Sequence, residues 1–135
     1  KNIELNYKPR DLNIISDPVL FELMIEQIIS NSLKYCGIDG KRGMLSIYIE
    51  NQNPSVLVIE DNGIGISPSD LPKIFDKGYS GLNGRLSEKA TGLGLYLARE
   101  ISERLGCALT INSLQGEWTR AEVKLGTETS ILTKM

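Results

Sequence analysis

No histidine occurs anywhere in the 135 residues. Its absence excludes Ser-His-Asp triads, Cys-His dyads and every histidine-ligated metal centre. Cysteine is scarce. Cys36 and Cys107 stand far apart, without the close spacing that metal ligation requires, and read as two free thiols. No apolar run is long enough to span a bilayer, no signal peptide opens the chain, and no GxxxxGK[ST] loop is present. Charge of one sign does not accumulate either: 15 Lys plus Arg against 17 Asp plus Glu leave a net charge of −2. Nothing in that balance suggests nucleic acid or a membrane surface as a partner.

What is present is ordinary in bulk, with 41% apolar and 24% charged residues over a length suited to one core. We therefore expect a single domain over residues 1–135. Because the chain opens on Lys1, we expect it to be a segment of a longer protein, with any membrane anchor outside it. Residues 3–7 alternate like a half-buried strand, and residues 13–15 follow a turn at 9–11 as a second short one. Asp17-Pro18 reads as a helix start, and apolar spacing carries that helix over 19–35 until Gly37 and Gly40 stop it. Strands are expected at 44–50 and 56–59, with Asn53-Pro54 between them. A short helix-like piece covers 69–75, and a second amphipathic helix covers 93–105, ended by Gly106. Strands at 108–112 and 119–125 precede a polar tail. These elements add up to an α+β, two-layer domain: a mixed, mostly antiparallel sheet with helices on one face. The glycine-rich stretch from Gly78 to Thr91 is longer than most connections and reads as a functional lid, about 76–91.

Three groups of residues carry chemistry. On the first helix, Gln27, Asn31 and Lys34 share one stripe, with Tyr35 on its margin. Such a stripe is either a solvated face or a metal–phosphate site. An Asn carbonyl oxygen is a hard ligand that Mg²⁺ accepts, and a Lys one turn on can neutralise phosphate. Next, Asp61-Asn62-Gly63-Ile64-Gly65-Ile66 follows a buried strand. It is either a strand-ending turn, with Asn-Gly supplying positive φ, or a base site. In the second case Asp61 accepts from an adenine amino group, and Gly65 lets the backbone approach the base. Third, Thr91-Gly92-Leu93-Gly94-Leu95 opens the second helix, where free N–H groups and the helix dipole suit a phosphate. It is not a dinucleotide fingerprint, because the third small residue, Ala98, comes one position late.

Taken singly these features are ambiguous, but their order resembles the GHKL ATPase superfamily, and within it the sensor histidine kinase catalytic domain with the Bergerat ATP-binding fold. The resemblance runs from about Ile3 to Leu125. It implies ATP and Mg²⁺ as cofactors. Gln27 to Tyr35 is similar to the N box, which makes Asn31 the Mg²⁺ ligand, sets Lys34 on phosphate and packs Tyr35 near the nucleotide. Asp61, Gly63 and Gly65, with Ile66 beyond, are similar to the G1 box, with Asp61 on the adenine amino group. Phe75 belongs to a segment like the F box at the base of the lid. Gly92, Leu93, Gly94 and Leu95, preceded by Thr91, resemble the G2 box at the phosphates, and Thr119 sits where the family has a Thr near adenine. Arg85 and Lys89 are lid cations within reach of the γ-phosphate or simply solvated. The segments 77–81, 83–85 and 91–97 are similar to the small kinases that sense peptide antibiotics at the envelope of Gram-positive bacteria.

Relatives that hydrolyse ATP carry a Glu four residues before the Mg²⁺ Asn, where Gln27 stands here. Gln cannot take a proton from water at neutral pH. Glu26 is turned about 100° away along the helix. The resemblance thus implies a protein-histidine kinase. Its acceptor histidine lies on a separate dimerisation domain, and a response regulator takes the phosphate onward. It also implies a cytoplasmic domain of a membrane-anchored homodimer. The alternatives are a serine kinase or ATPase of the same fold, or a nucleotide-binding regulatory module without turnover.

Overall fold

Asp17 starts the first helix as its sequence dictates. Its Oδ1 accepts from the backbone N–H groups of Val19 and Leu20 at 3.0 and 3.1 Å, satisfying donors that a first helical turn leaves free. Pro18 occupies the first helical position, where no N–H is needed. Helix α1 runs Pro18–Tyr35, and its inner row, Met24, Ile28 and Ser32, is buried. The computed structural model describes residues 3–7, 16–38, 40–50, 55–79 and 93–125. The turn at 9–11, the strand at 13–15, Asn53-Pro54, most of the lid with Arg85 and Lys89, and the polar tail lie outside the described residues.

Five strands form one sheet in the order β1-β2-β3-β5-β4: β1 Ile3–Tyr7, β2 Gly43–Glu50, β3 Val56–Asp61, β4 Ala108–Leu114 and β5 Trp118–Lys124. Among the described strands only β1 and β2 are parallel, and α1 lies between them in the chain, as a parallel crossover requires. Helix α2, Gly94–Leu105, ends at Gly106, whose φ of 76° is the left-handed cap that glycine permits. Alternate strand residues Leu45, Ile59, Leu109, Ile111, Ala121 and Val123 join Met24, Ile28, Ala98 and Ile101 in one core. Both helices therefore cover the same face, and the fold is the α+β arrangement expected.

On the other face Arg120 is the hub of a charged cluster. Its guanidinium donates to Glu122 at 2.6 Å, to Tyr48 at 2.9 Å, to Glu60 at 3.2 Å and to Glu50. Burial works against its charge, but Glu122, Glu60 and Tyr48 outweigh that and hold it above its usual range.

Three elements differ from the sequence reading by two residues or more at a boundary. The helix-like piece at 69–75 is only a 3₁₀ turn, Leu71–Lys73. Here Pro72 removes a donor, and Asp70, Lys73 and Asp76 each bond back three residues, to Ser67, Asp70 and Lys73. Strand β3 extends through Asp61, so that carboxylate is part of the sheet and not of the turn after it. Strand β4 continues to Leu114, two residues beyond the alternation anticipated, because Ser113 and Leu114 pair with Thr119 and Trp118.

Candidate functional site

Asp61 ends β3 opposite Leu45 of β2 and Thr119 of β5. It is only 4% exposed. Its Oδ1 accepts from the N–H of Gly63 at 2.8 Å. Burial raises the Asp61 pKa above the ordinary carboxylate value, and Glu60 adds to the rise. The Gly63 N–H, Ser32 and the more distant charge of Lys41 pull it down without cancelling it. Beside it, Thr119 Oγ1 lies 3.3 Å from Ser113 Oγ, which also accepts from the N–H of Ile66 at 2.7 Å. Asp61, Thr119 and Ile66 are thereby held at one end of the sheet.

The glycines of this turn serve the protein's own packing. Gly63 is not in the left-handed region, so Asn62-Gly63 does not supply positive φ. A Cβ at Gly63 would come within 2.4 Å of the Tyr35 carbonyl oxygen. That carbonyl accepts from the N–H of Ile64 at 3.1 Å, tying the end of α1 to the turn. The positive φ, 73°, is at Gly65. A Cβ there would meet the Leu114 carbonyl oxygen at 2.6 Å and Gln115 Cα at 2.7 Å. The side that was expected to open toward a base is thus filled by the β4–β5 hairpin, whose Gly116 N–H donates to Ile64. Asn62 is a clamp: its Oδ1 accepts from Met44 N at 2.7 Å, and its Nδ2 donates to the Arg42 carbonyl at 3.1 Å.

Along α1, Gln27, Asn31, Lys34 and Tyr35 are all half-buried, whereas Glu22, Glu26, Ser30 and Leu33 are exposed. The polar stripe is therefore not the solvated face of the helix. It looks toward the start of α2: Gln27 Oε1 lies 3.3 Å from where a Cβ on Gly94 would be. Gly94 opens α2 behind Leu93, with no side chain capping the first turn, so free N–H groups point out of that end. Leu93 is 45% exposed, and Leu95 packs against the core. Burial also raises the Tyr35 phenol pKa.

Phe75 packs against the core under the Arg99 guanidinium, which stands 3.9 Å from its ring centre and donates to the Leu109 carbonyl at 2.9 Å. Lys77 lies 5.8 Å from the centre of the Tyr96 ring. The chain therefore leaves this region and returns to it within a side chain's reach. Thr91 and Gly92 lie outside the described residues.

Sequence reading missed Ser32, Asn62 as a clamp, Ser113, Arg99 and Arg120. Of these only Ser32 left a signal: it continues the buried row of Met24 and Ile28, where a hydroxyl needs a polar partner. A hollow of about 560 Å³ opens beside the end of β3, among Met44, Ser46, Glu60, Asp61, Trp118 and Arg120. It reaches Asp61 but none of Gln27, Asn31, Lys34, Gly94 or Thr119.

Known proteins resemble this chain in sequence and in fold. The chain is 34% identical over 125 residues to the sensor histidine kinase YxdK of Bacillus subtilis, covering 93% of this chain and 36% of that protein. It is 38% identical over 116 residues to the sensor histidine kinase GraS of Staphylococcus epidermidis, covering 86% and 32%. The chain thus spans about a third of the length of these relatives. Among solved structures, the mycobacterial sensor histidine kinase MprB aligns with a TM-score of 0.72 at 22% identity, over 90% of this chain and 80% of that one. The catalytic domain of histidine kinase ThkA aligns at 0.68 and 20% identity, over 93% and 80%. At that identity both speak for the fold alone. Residues 16–129 match the model of one family, and the chain belongs to it: the histidine kinase-, DNA gyrase B- and HSP90-like ATPases.

Proposed function

We propose that this chain is the ATP-binding catalytic domain of a sensor histidine kinase. On this reading it delivers the γ-phosphoryl group of ATP to a histidine on a separate dimerisation domain. The observation that carries the reading is the approach of Gln27 to Gly94, where its Oε1 lies 3.3 Å from the place a Cβ would take. It sets an amide, not a carboxylate, where the polar stripe of α1 meets the free N–H groups of α2. Gln27 cannot take a proton from water, so the nucleophile comes with the acceptor.

The adenine amino group donates to Asp61, and Thr119 and Ile66 line the same end of the sheet. Asn31 offers one amide oxygen to a cation. Among the described residues no group of three His, Cys, Asp or Glu could hold a metal by itself, so the donor set fits a cation that arrives on phosphate oxygens. Mg²⁺, when bound, would neutralise developing phosphate charge, with Asn31 as its protein ligand. Lys34 and the N–H groups at Gly94 spread the remaining charge, and Phe75 anchors the stem of the lid. An acceptor imidazole nitrogen then attacks the γ-phosphorus, the bond to the β–γ bridging oxygen breaks, and ADP leaves. The phosphate passes on to a response regulator. In the full-length protein we place this domain on the cytoplasmic side of a membrane-anchored homodimer. Among the described residues no helix is long and apolar enough to cross a membrane.

The test is transfer of label from γ-labelled ATP to the protein's own dimerisation segment supplied in trans. Acid-labile, base-stable label is expected. Acid-stable label would instead mark a serine kinase, and tight ATP binding without transfer to any partner a regulatory module.

A further inference from the structure

Ser113, next to last in β4, makes three polar contacts, and together they fix where its proton lies. A hydroxyl has one donor and two acceptor positions. The Ile66 N–H donates to Ser113 Oγ at 2.7 Å, which fills one acceptor position. The Trp118 carbonyl lies 2.8 Å away and can only accept, so the Ser113 proton goes there. The third contact is Thr119 Oγ1 at 3.3 Å. Ser113 has no proton left for it, so the Thr119 hydroxyl is the donor and fills the second acceptor position. Thr119 Oγ1 therefore turns only lone pairs toward a ligand. We propose that Ser113 is a specificity-determining residue. By taking the Thr119 proton it makes Thr119 a fixed acceptor beside the Asp61 carboxylate, so this end of the sheet takes a base edge bearing an amino group and refuses one bearing a carbonyl. The proposal rests on the reading of Asp61 and Thr119 as the adenine site.

The sheet keeps these groups together. Thr119 is the register partner of Asp61 on β3 and of Ser113 on β4, and such partners carry their Cβ atoms about 4.5–5.5 Å apart. Strand alternation sets all three on the face of the core residues Ile59, Ala121 and Ile111. Ile66 brings the turn after β3 to the same oxygen, so that turn, β4 and β5 meet at Ser113. Rotating the Ser113 hydroxyl toward Thr119 would take its proton from the Trp118 carbonyl, so the direction of the Thr119 bond is locked by the backbone. Asp61 and Thr119 then accept side by side, but for different reasons. The carboxylate has no proton to offer while it is ionised. The hydroxyl has one, and it is held elsewhere. Only the second can be reversed without removing the group itself: released from Ser113, Thr119 rotates and donates to a carbonyl oxygen.

The probes are ATP and inosine triphosphate, whose base carries a carbonyl oxygen where adenine has its amino group. Calorimetry with both is run on wild type, Ser113→Ala, Ser113→Thr and Thr119→Val. Ser113→Ala should bind inosine triphosphate about tenfold more tightly than wild type, the scale of one hydrogen bond, with ATP changed far less. Ser113→Thr, which keeps the hydroxyl, should keep the wild-type preference. Thr119→Val should narrow the preference from the other side, weakening ATP and sparing inosine triphosphate. Damage to the fold would weaken both nucleotides together, and that result in Ser113→Ala, with no gain for inosine triphosphate, overturns the proposal. A second measurement needs no variant and no nucleotide. Proton NMR of wild type should show the Thr119 hydroxyl proton in slow exchange and close to Ser113, and fast exchange there would also overturn the proposal. Wild type that binds neither nucleotide, with that proton still protected, would sink the adenine reading and leave the bond a purely structural one.

Discussion

At the scale of single residues, Asp61 sets function against stability. Burial raises its pKa in the folded chain above the ordinary 3.8. The folded state therefore holds the proton more tightly than the unfolded one. Stability tied to this group is complete below the unfolded value and is withdrawn as pH rises through the folded one. Asp61→Asn removes that withdrawal. Its amide oxygen can still accept from the Gly63 N–H. We expect the variant to gain stability over wild type at neutral pH more than near pH ~4, read from urea midpoints at both. ATP binding should fall at the same time. The wild-type carboxylate should favour ATP over GTP by about tenfold or more, because guanine presents an acceptor to it and one unpaired buried polar group costs about 1–3 kcal/mol. Equal competition by GTP would reduce Asp61 to a buried strand-end residue without a role in base choice. Asn31→Ala should abolish the Mg²⁺-dependent part of nucleotide affinity and spare the metal-free part. Calorimetry with and without chelator separates the two, and a mutant equal to wild type in Mg²⁺ removes Asn31 from the metal.

At the scale of elements, the helices and strands were largely legible because their signals are local. Asp17-Pro18 announced α1, period-four spacing announced its buried row, and Gly106 announced the end of α2. The stripe of Gln27, Asn31 and Lys34 was legible as a stripe, but its burial was not, since that depends on α2 packing beside it. Gly65 shows what local reading cannot reach. Its conformation is demanded by a hairpin some 50 residues further along the chain, between Leu114 and Gly116. Gly65→Ala forces both a left-handed φ of 73° and a Cβ only 2.6 Å from a backbone oxygen. It should cost about 1–3 kcal/mol or more and loosen the Ile66–Ser113 bond, visible as faster hydrogen exchange at Ile66. Protection equal to wild type would mean the hairpin yields easily.

At the scale of the whole molecule, the chain should bind ATP yet hardly consume it. It holds no histidine to accept phosphate, and Gln27 cannot deprotonate water. Phosphate release by the isolated domain should stay near the uncatalysed background, while transfer appears once the acceptor segment is added. Rapid release from the domain alone would favour an ATPase. None of this chemistry touches the open face of the sheet, where Arg120 gathers Glu50, Glu60 and Glu122 from three adjacent strands. Such a hub acts on errors of assembly. A slip of β5 by one residue against β3 would turn Arg120 and Glu122 into the apolar layer and leave Glu50 and Glu60 beside one another without their cation. Misaligned strands are thus penalised twice, by a buried charge and by unrelieved repulsion, so the cluster serves as a proofreader of strand alignment during folding.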